Sequence, residues 1–392
     1  MATINEKCLK SVRIFGDEGE HLNQSKTLTI VSMVALVVLV APFFATNVAS
    51  GHAPTRPVKN YNLYFGDLHT HTAYSDAWEG TPWDAYQAAI DAGADFMATT
   101  DHVSSWNAYK GLTMDSEEWA DTLVAADYFT SKNFVAMAGY ETWMLGHLGE
   151  INVYNVRELP PHEPLGYRFD RLPDLYDWIA QQPGAIGQFN HPYYMTNEYE
   201  DYSYLTETRD GALNIIEVWN SQVTEEHYIR ALDAGWHLMP SANSDTHNPD
   251  WISGHEIRTV LLAEKLTPED LYAAMSAHRG YATLDKNLRM YYTLNGAVMG
   301  STLESATLTA TAKIHIEDPD GVASDAITKV EIVSDGGVVV ATLNTDSTVV
   351  DWEVTFDSSE ASYFFVKVTT ASPLSGGEEG ATAWTAPVWT GR

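Results

Sequence analysis

The chain has 392 residues, too many for one ordinary hydrophobic core and suited to one large unit with a smaller one beside it. Its 53 Asp and Glu outnumber 22 Lys and Arg, for a formal net charge of -31 at pH 7, and without a local basic stripe that balance argues against nucleic acid as a partner. The single cysteine, Cys8, precedes everything that reads as folded, so a disulfide framework, a thiolate nucleophile and a zinc-thiolate site are excluded, and any metal must be held by nitrogen and oxygen.

In chain order, residues 1–26 form a polar tail. The next segment, 27–50, holds the apolar run "TLTIVSMVALVVLVAPFFA" followed by the small-residue stretch "TNVASG". This fits a secretory signal cleaved near Ser50, which implies a periplasmic or secreted protein. The run is also nearly long enough to remain as an uncleaved N-terminal membrane anchor. Pro42 and the lack of an amphipathic period argue against a buried core helix there.

From about residue 61 short apolar runs alternate with helical patterns. In "TPWDAYQAAIDAGADFMATTDH", Thr81 is an N-cap, Pro82 occupies the first turn, Trp83, Tyr86 and Ile90 recur at helical spacing, and Gly93 ends the helix before the buried strand "DFMATT". The unit recurs as a helix through Trp178 and Ile179 that ends at Pro183 and Gly184, followed by a strand at 185–189. It recurs again as a helix that stops at Gly235 and leads into a strand, and "TPEDLYAAMSAHRG" closes the series near Gly280. Helix and strand in alternation predict an α/β fold with a parallel sheet, closed or open, and helices outside it. After about Leu288 the texture becomes alternating Thr, Val and Ile punctuated by Asp-Gly and Gly-Gly turns, and roughly a hundred residues of short strands read as a small β-sandwich.

Four strand ends carry His and Asp: His69 and His71 in "GDLHTHTAYSD", with Asp76 close behind; Asp101 and His102 in "TTDH"; His191 in "FNHP"; and Asp245 and His247 in "SANSDTH". In parallel α/β architectures the carboxyl ends of the strands form a shared mouth, so these segments are expected to converge. Another apolar run, "FVAMAGY", delivers Glu141, with His147 and Glu150 shortly after it. A buried strand-end carboxylate is costly unless it is paired or bound to a metal, which makes Glu141 a natural bridging ligand. Together these are too many donors for one tetrahedral zinc and suit two or three divalent ions, Zn, Mn or Fe, that share a carboxylate.

"GDLHTHTAYSD", "TTDH", "GYETW", "QFNHP" and "SDTH", in this order over approximately residues 61–290, resemble the motifs of the PHP (polymerase and histidinol phosphatase) superfamily. The resemblance implies a distorted (β/α)7 barrel over 51–290. The stretch "LDKNLRMYYTLNGAVMGSTL" and the ending "TAWTAPVWTGR" resemble the junction and C-terminal Ig-like sandwich of exported PHP-type metallohydrolases, a group that includes carbaryl hydrolases, and so imply an Ig-like domain over 291–392. The resemblance also implies one metal held by His69, His71, Glu141 and Asp245, and a second that shares Glu141 with His191 and a ligand from "GHLGEINVYN". A third would use Asp76, His102 and His247. Where the family pattern has a histidine directly before "INVYN" this chain has Glu150, with His147 three residues earlier, and either side chain completes the second set.

The expected activity is hydrolysis of a small phosphate mono- or diester by a hydroxide bridging the metals, with Asp101 or His247 orienting or shuttling protons and Glu141 joining the ions. The same site suits a carbamate or carboxylic ester. A non-catalytic scaffold is the alternative of a different class. Arg258, Lys286 and Arg289 are candidate cations for a phosphate, and His255 a candidate general acid. The aromatic run after His191 either lines a pocket or packs onto the rim.

Overall fold

The structure is a computed structural model that describes residues 60–103, 112–143, 148–163, 166–167, 171–193, 199–371 and 381–392. The tail, the apolar segment 27–50 and His147 lie outside the described residues. Among the described residues no helix is long and apolar enough to cross a membrane.

The longer strands in the first part of the main sheet are β1 (Asn62–Asp67), β2 (Phe96–Thr99), β3 (Val135–Trp143), β4 (Glu150–Tyr154), β5 (Ile186–Phe189), β6 (Leu213–Asn220), β7 (Met239–Ala242), β8 (Arg258–Ala263) and β9 (Gly280–Thr283), joined by the two-residue strands His102–Val103 and Gln222–Val223. The helices between them are α1 (Pro82–Asp91), α2 (Ser116–Phe129), α3 (Leu172–Gln181), α4 (Glu225–Asp233) and α5 (Pro268–Ser276). Local chemistry accounts for their ends. Pro82 enters α1 at its first turn, Asp84 Oδ2 accepts from Thr81 N at 2.8 Å, and Gly93 takes the left-handed conformation, φ 81°, that ends the helical run. Helix α2 has no counterpart in the expected series, although Asp115 accepts from the backbone N–H groups of Glu117 and Glu118 and Glu118 closes a capping box.

The alternation of helix and strand is present, but the expected closed (β/α)7 barrel is not what the ladders draw. The order is β6-β5-β4-β3-β2-β1-β8-β9, with β7 parallel to the far side of β6, and the sheet stays open between β7 and β8. Strand β4 runs antiparallel to both β3 and β5, and β8 antiparallel to both β1 and β9, so the sheet is mixed. At the gap a side chain does the work of a ladder: Thr259 Oγ1 accepts from Ala242 N at 3.0 Å and donates to Ala242 O at 3.1 Å.

Among the described residues beyond Leu288 the regular structure is strand, with short 3-10 turns: β10 (Arg289–Leu294), β11 (Thr309–Glu317), β12 (Ile327–Ser334), β13 (Val338–Ser347), β14 (Val349–Asp357), β15 (Tyr363–Thr370) and β16 (Ala381–Thr385). The main sheet runs on from β9 through β16, β15 and β12 to β13, while β10, β11 and β14 form a second, antiparallel sheet. Met290, Tyr292, Ile314, Ile316 and Val350 of the second sheet share one apolar cluster with Val330, Ile332, Phe364 and Val366 of the main sheet. The helices pack a separate cluster around Tyr86, Trp119, Tyr140, Tyr176, Phe189 and Trp236, each at most 4 % exposed.

Candidate metal centre

Past Asp67, the last ladder residue of β1, the chain bends at Leu68 and runs on to Thr72 with an isolated bridge at Thr70. Thr70 spends its polar atoms on the neighbouring segments, with Oγ1 donating to Ala98 O at 2.8 Å and its backbone bridged to Thr246. The two-residue period of extended chain puts His69 and His71 on the same side, where both are fully buried and their Nε2 atoms lie 3.2 Å apart. Register then brings in the rest. His102 and Glu141 are directly paired in a short parallel ladder between neighbouring chain segments, so the "TTDH" and "GYETW" segments meet at these two side chains.

Three donor sets result, each with one ligand atom per residue and all such atoms within 4.8 Å of one another: His69, His71, Glu141 and Asp245; Glu141, Glu150 and His191; His71, Asp76, His102 and His247. Glu141 joins the first two. Its Oε2 is 3.2 Å from His69 Nε2 and 3.2 Å from His71 Nε2, and its Oε1 is 3.3 Å from His191 Nε2 and accepts from Asn190 Nδ2 at 2.6 Å. Asp245 Oδ1 faces the same pair of histidines at 3.3 and 3.0 Å. In the outer set Asp76 Oδ1 is 3.1 Å from His247 Nε2, and Asp76 Oδ2 is 3.6 Å from His102 Nε2.

The electrostatics match a site built to hold cations. Burial opposes charge on His71, but Asp245 and Glu141 outweigh it and push its pKa up to about 10. His69 is raised well above the usual imidazole value in the same way, against its burial, by Asp245, Glu141 and Glu217. The Glu141 carboxyl is held well below its usual range although burial works the other way, because His69 and His102 face it. For Asp76, too, burial works upward, and His247, His102 and His71 overcome it to bring the pKa down to about 2. Asp245 Oδ1 and His102 Nδ1 are among the buried polar atoms without a hydrogen-bond partner, the latter 3.3 Å from Glu141 Oε2. Orphaned atoms facing other donor atoms of the ligand type, in sets of three or four, fit divalent ions held by nitrogen and oxygen. His191 (φ 25°) and Asp245 (φ 51°) hold left-handed backbone that side chains other than glycine avoid, a strain that recurs at functional sites.

His69, His71, Asp76, His102, Glu141, Glu150, His191, Asp245 and His247 fall in these sets, and Asp101 does not. Of the two candidates for the second set, Glu150 lies beside His191, with Oε2 3.2 Å from its Nε2, and His147 lies outside the described residues. Asp101, expected to handle protons, has both oxygens engaged: Oδ1 accepts from Thr72 N and Ser75 Oγ, and Oδ2 from Thr72 Oγ1, at 2.7–2.8 Å. It ties down the turn that carries Asp76. The candidate cations are also occupied: Arg258 donates to the carbonyls of His255, Ile257 and Ile252, Lys286 pairs with Glu256 at 2.8 Å, and Arg289 pairs with Glu317. His255 Nε2 lies 3.4 Å from the buried Asp67 Oδ2. In the aromatic run, Tyr199 and Tyr202 pack against Phe189 and are buried, with Tyr199 OH donating to Glu150 O and Asn190 O; rim packing is therefore the role these two play.

The sequence reading passed over Glu217. This carboxylate in the middle of β6 is fully buried, and its Oε1 lies 3.0 Å from His69 Nδ1 while its Oε2 accepts from His191 N at 2.6 Å. Its signal was a lone acid inside the apolar run "LNIIEVWN". Asn152, Gln188, Asn190 and Asn243 complete a buried polar layer beneath the imidazoles.

No protein-family model matches the chain, and no curated protein matches it. Among solved structures it is similar to a two-domain protein of Bacteroides vulgatus containing a predicted PHP-like metal-dependent phosphoesterase, with 16% identity, a TM-score of 0.46 and coverage of 84% of this chain and 96% of that one. It is also similar to an amidohydrolase of Chromobacterium violaceum (15% identity, TM-score 0.31, 46% of this chain and 87% of that one). A third is the lesion-specific endonuclease EndoQ of Pyrococcus furiosus (13% identity, TM-score 0.38, 55% and 56%). At these identities and scores the likenesses carry no argument about activity.

Proposed function

We propose that the chain is a metal-dependent hydrolase of PHP type acting on small phosphate mono- or diesters. One observation carries this reading: three donor sets of only histidine and carboxylate, joined through Glu141 and His71, with most members buried and Asp76, Asp245 and His247 partly exposed. His69, His71, Glu141 and Asp245 would hold one ion, Glu141, Glu150 and His191 a second, and Asp76, His102 and His247 a third. Bound divalent ions supply Lewis acidity toward an ester oxygen and lower the pKa of a water to near neutrality.

The chain's own residues do the remaining work. Asp76 and His247 are the half-open members of the cluster, 26% and 34% exposed, and the 2.9 Å contact of His247 Nδ1 with Asp245 O leaves Nε2, the nitrogen facing Asp76, as the atom that would hold the third ion. Asp101 keeps the turn at Thr72–Asp76 in place, so Asp76 is presented rather than splayed. The buried side excludes water and lets each charged donor act at low dielectric.

A second reading has its own support. With Arg258, Lys286 and Arg289 all engaged elsewhere, none of these three is offered to a phosphate, which favours a neutral electrophile such as a carbamate or carboxylic ester. The division into a 51–290 hydrolase region and a 291–392 Ig-like region, export through the 27–50 segment, and a small-molecule rather than nucleic-acid substrate complete the proposal.

The test is metal quantification on the purified protein after supplementation with Zn, Mn or Fe, coupled to a panel of p-nitrophenyl phosphate, bis-p-nitrophenyl phosphate and naphthyl esters, repeated with His69→Ala. Metal-restored phosphate-ester hydrolysis lost in the variant is expected. Turnover of naphthyl esters alone would decide for the second reading, and a protein that takes up no metal would be a scaffold.

A further inference from the structure

We propose that Glu217 is the positioning residue that holds His69, His191 and Asp245 in ligating geometry, so that two of the three donor sets depend on one carboxylate which itself faces away from the ions. The inference rests on the reading of these residues as metal ligands.

Five donors converge on this side chain. On Oε1 they are His69 Nδ1 at 3.0 Å, Asn243 Nδ2 at 2.9 Å and Gln188 Nε2 at 3.4 Å; on Oε2 they are His191 N at 2.6 Å and Asn220 Nδ2 at 3.0 Å. Glu217 is 0% exposed, and the charge it carries into the interior is met by hydrogen bonds rather than by water. Its contact with His69 Nδ1 fixes the proton on that nitrogen and leaves Nε2, the atom facing Glu141 and Asp245, as the ligand.

The second contact does a different job. His191 sits at φ 25°, a backbone conformation that needs outside support, and the bond from its N–H to Glu217 Oε2 supplies it at the residue whose imidazole faces Glu141 and Glu150. Asn220 extends the support to Asp245, also left-handed at φ 51°, by donating Nδ2 to both Glu217 Oε2 and Asp245 Oδ2, the latter at 3.3 Å. One carboxylate thus orients an imidazole, pins a strained backbone and, through an amide, steadies a second strained ligand. Every partner is a donor, so a glutamine at this position presents its NH2 to a donor in either amide orientation.

The experiment uses the full chain and Zn2+ or Mn2+ in competition with a chromophoric chelator. Glu217→Gln is expected to weaken metal affinity by about 10- to 100-fold and to lower the number of ions retained from the first two sets, the range typical of lost support behind a ligand. The increase in Tm that metal gives the wild type is expected to shrink in the variant, whereas a purely structural role would lower the Tm of metal-free and loaded protein alike. Wild-type affinity and stoichiometry in Glu217→Gln would overturn the proposal. A wild type that takes up no metal would instead overturn the reading beneath it. If the variant does not fold, nitrogen-15 NMR of the loaded wild type decides: a proton on His69 Nδ1 with coordination by Nε2 is expected, and the reverse assignment would overturn the role.

Discussion

The inner and outer parts of the cluster differ in how they are built. The inner ligands His69, His71 and Glu141 stand on or just beyond strands, are at most 1% exposed and rest on a layer of buried amides; the outer ligands Asp76 and His247 stand on turns and are 26% and 34% exposed. Desolvated imidazoles and carboxylates repel or attract at full strength, so the inner set is stable only when its charges are matched by partners or ions. In the outer set only Asp76 and His247 reach solvent, which screens their charges, while His71 and His102 beside them are buried. On the proposed reading the floor would retain metal and the rim would meet solvent and substrate.

Removing the shared inner carboxylate tests this most severely. Glu141→Gln takes a charged ligand from two donor sets at once and is expected to empty both and reduce kcat/KM by several kcal/mol, about a thousandfold or more, read by metal analysis and steady-state kinetics. Asp76→Asn touches the outer set alone. One ion is expected to be lost while the others stay, with a fall in kcat of about 100-fold, and loss of every ion would erase the distinction between floor and rim. Chelation of the wild type sharpens the same point: metal release is expected in two phases, the fast one absent in Asp76→Asn, followed by stopped-flow with a coloured chelator.

The smallest effect is the pH dependence of the metal-free protein. His71 is raised from 6.5 to about 10, so its contribution to stability is complete below 6.5 and is lost as pH rises through about 10. Asp76 is lowered from 3.8 to about 2, so its contribution is complete above 3.8 and is lost as pH falls through about 2. Thermal unfolding of chelated protein should therefore weaken on the alkaline side through the floor and on the strongly acidic side through the rim. Because His71 must shed its proton to bind, metal affinity is expected to rise with pH, with proton release on binding measurable by calorimetry in buffers of different ionisation enthalpy.

Much of the site was legible because its chemistry clusters locally. His69 and His71, Asp101 and His102, and Asp245 and His247 each announce themselves as polar pairs at the end of an apolar run, and the strand period explains why the first pair points one way. Glu217 stayed hidden because its meaning lies in partners far away in the chain: His69 is 148 positions distant, and Gln188, His191 and Asn243 arrive on other strands or strand ends. The fold divides along the same line. Helices α1 and α4 and the strands after them follow from caps, glycines and periodicity, whereas the antiparallel run of β4, the gap bridged by Thr259 and the continuation of the sheet past β9 are choices of pairing partner that periodicity does not encode. Helix α2 was readable from its Asp115 capping box, a signal the broader pattern of alternation obscured.

Strand β16 has a consequence in time. It pairs Tyr281 with Thr385 and Lys367 with Trp384, so β9, although complete when Thr283 is made, gains its second neighbour only when residues 381–385 exist. Until then Gly280–Thr283 is a bare hydrogen-bonding edge, the kind of surface on which unfinished chains stick to one another. Contacts this distant close late, so synthesis of nearly the whole chain precedes completion of the sheet. A ribosome that stops short of Ala381 releases a product carrying every candidate metal ligand named above and an unsealed sheet.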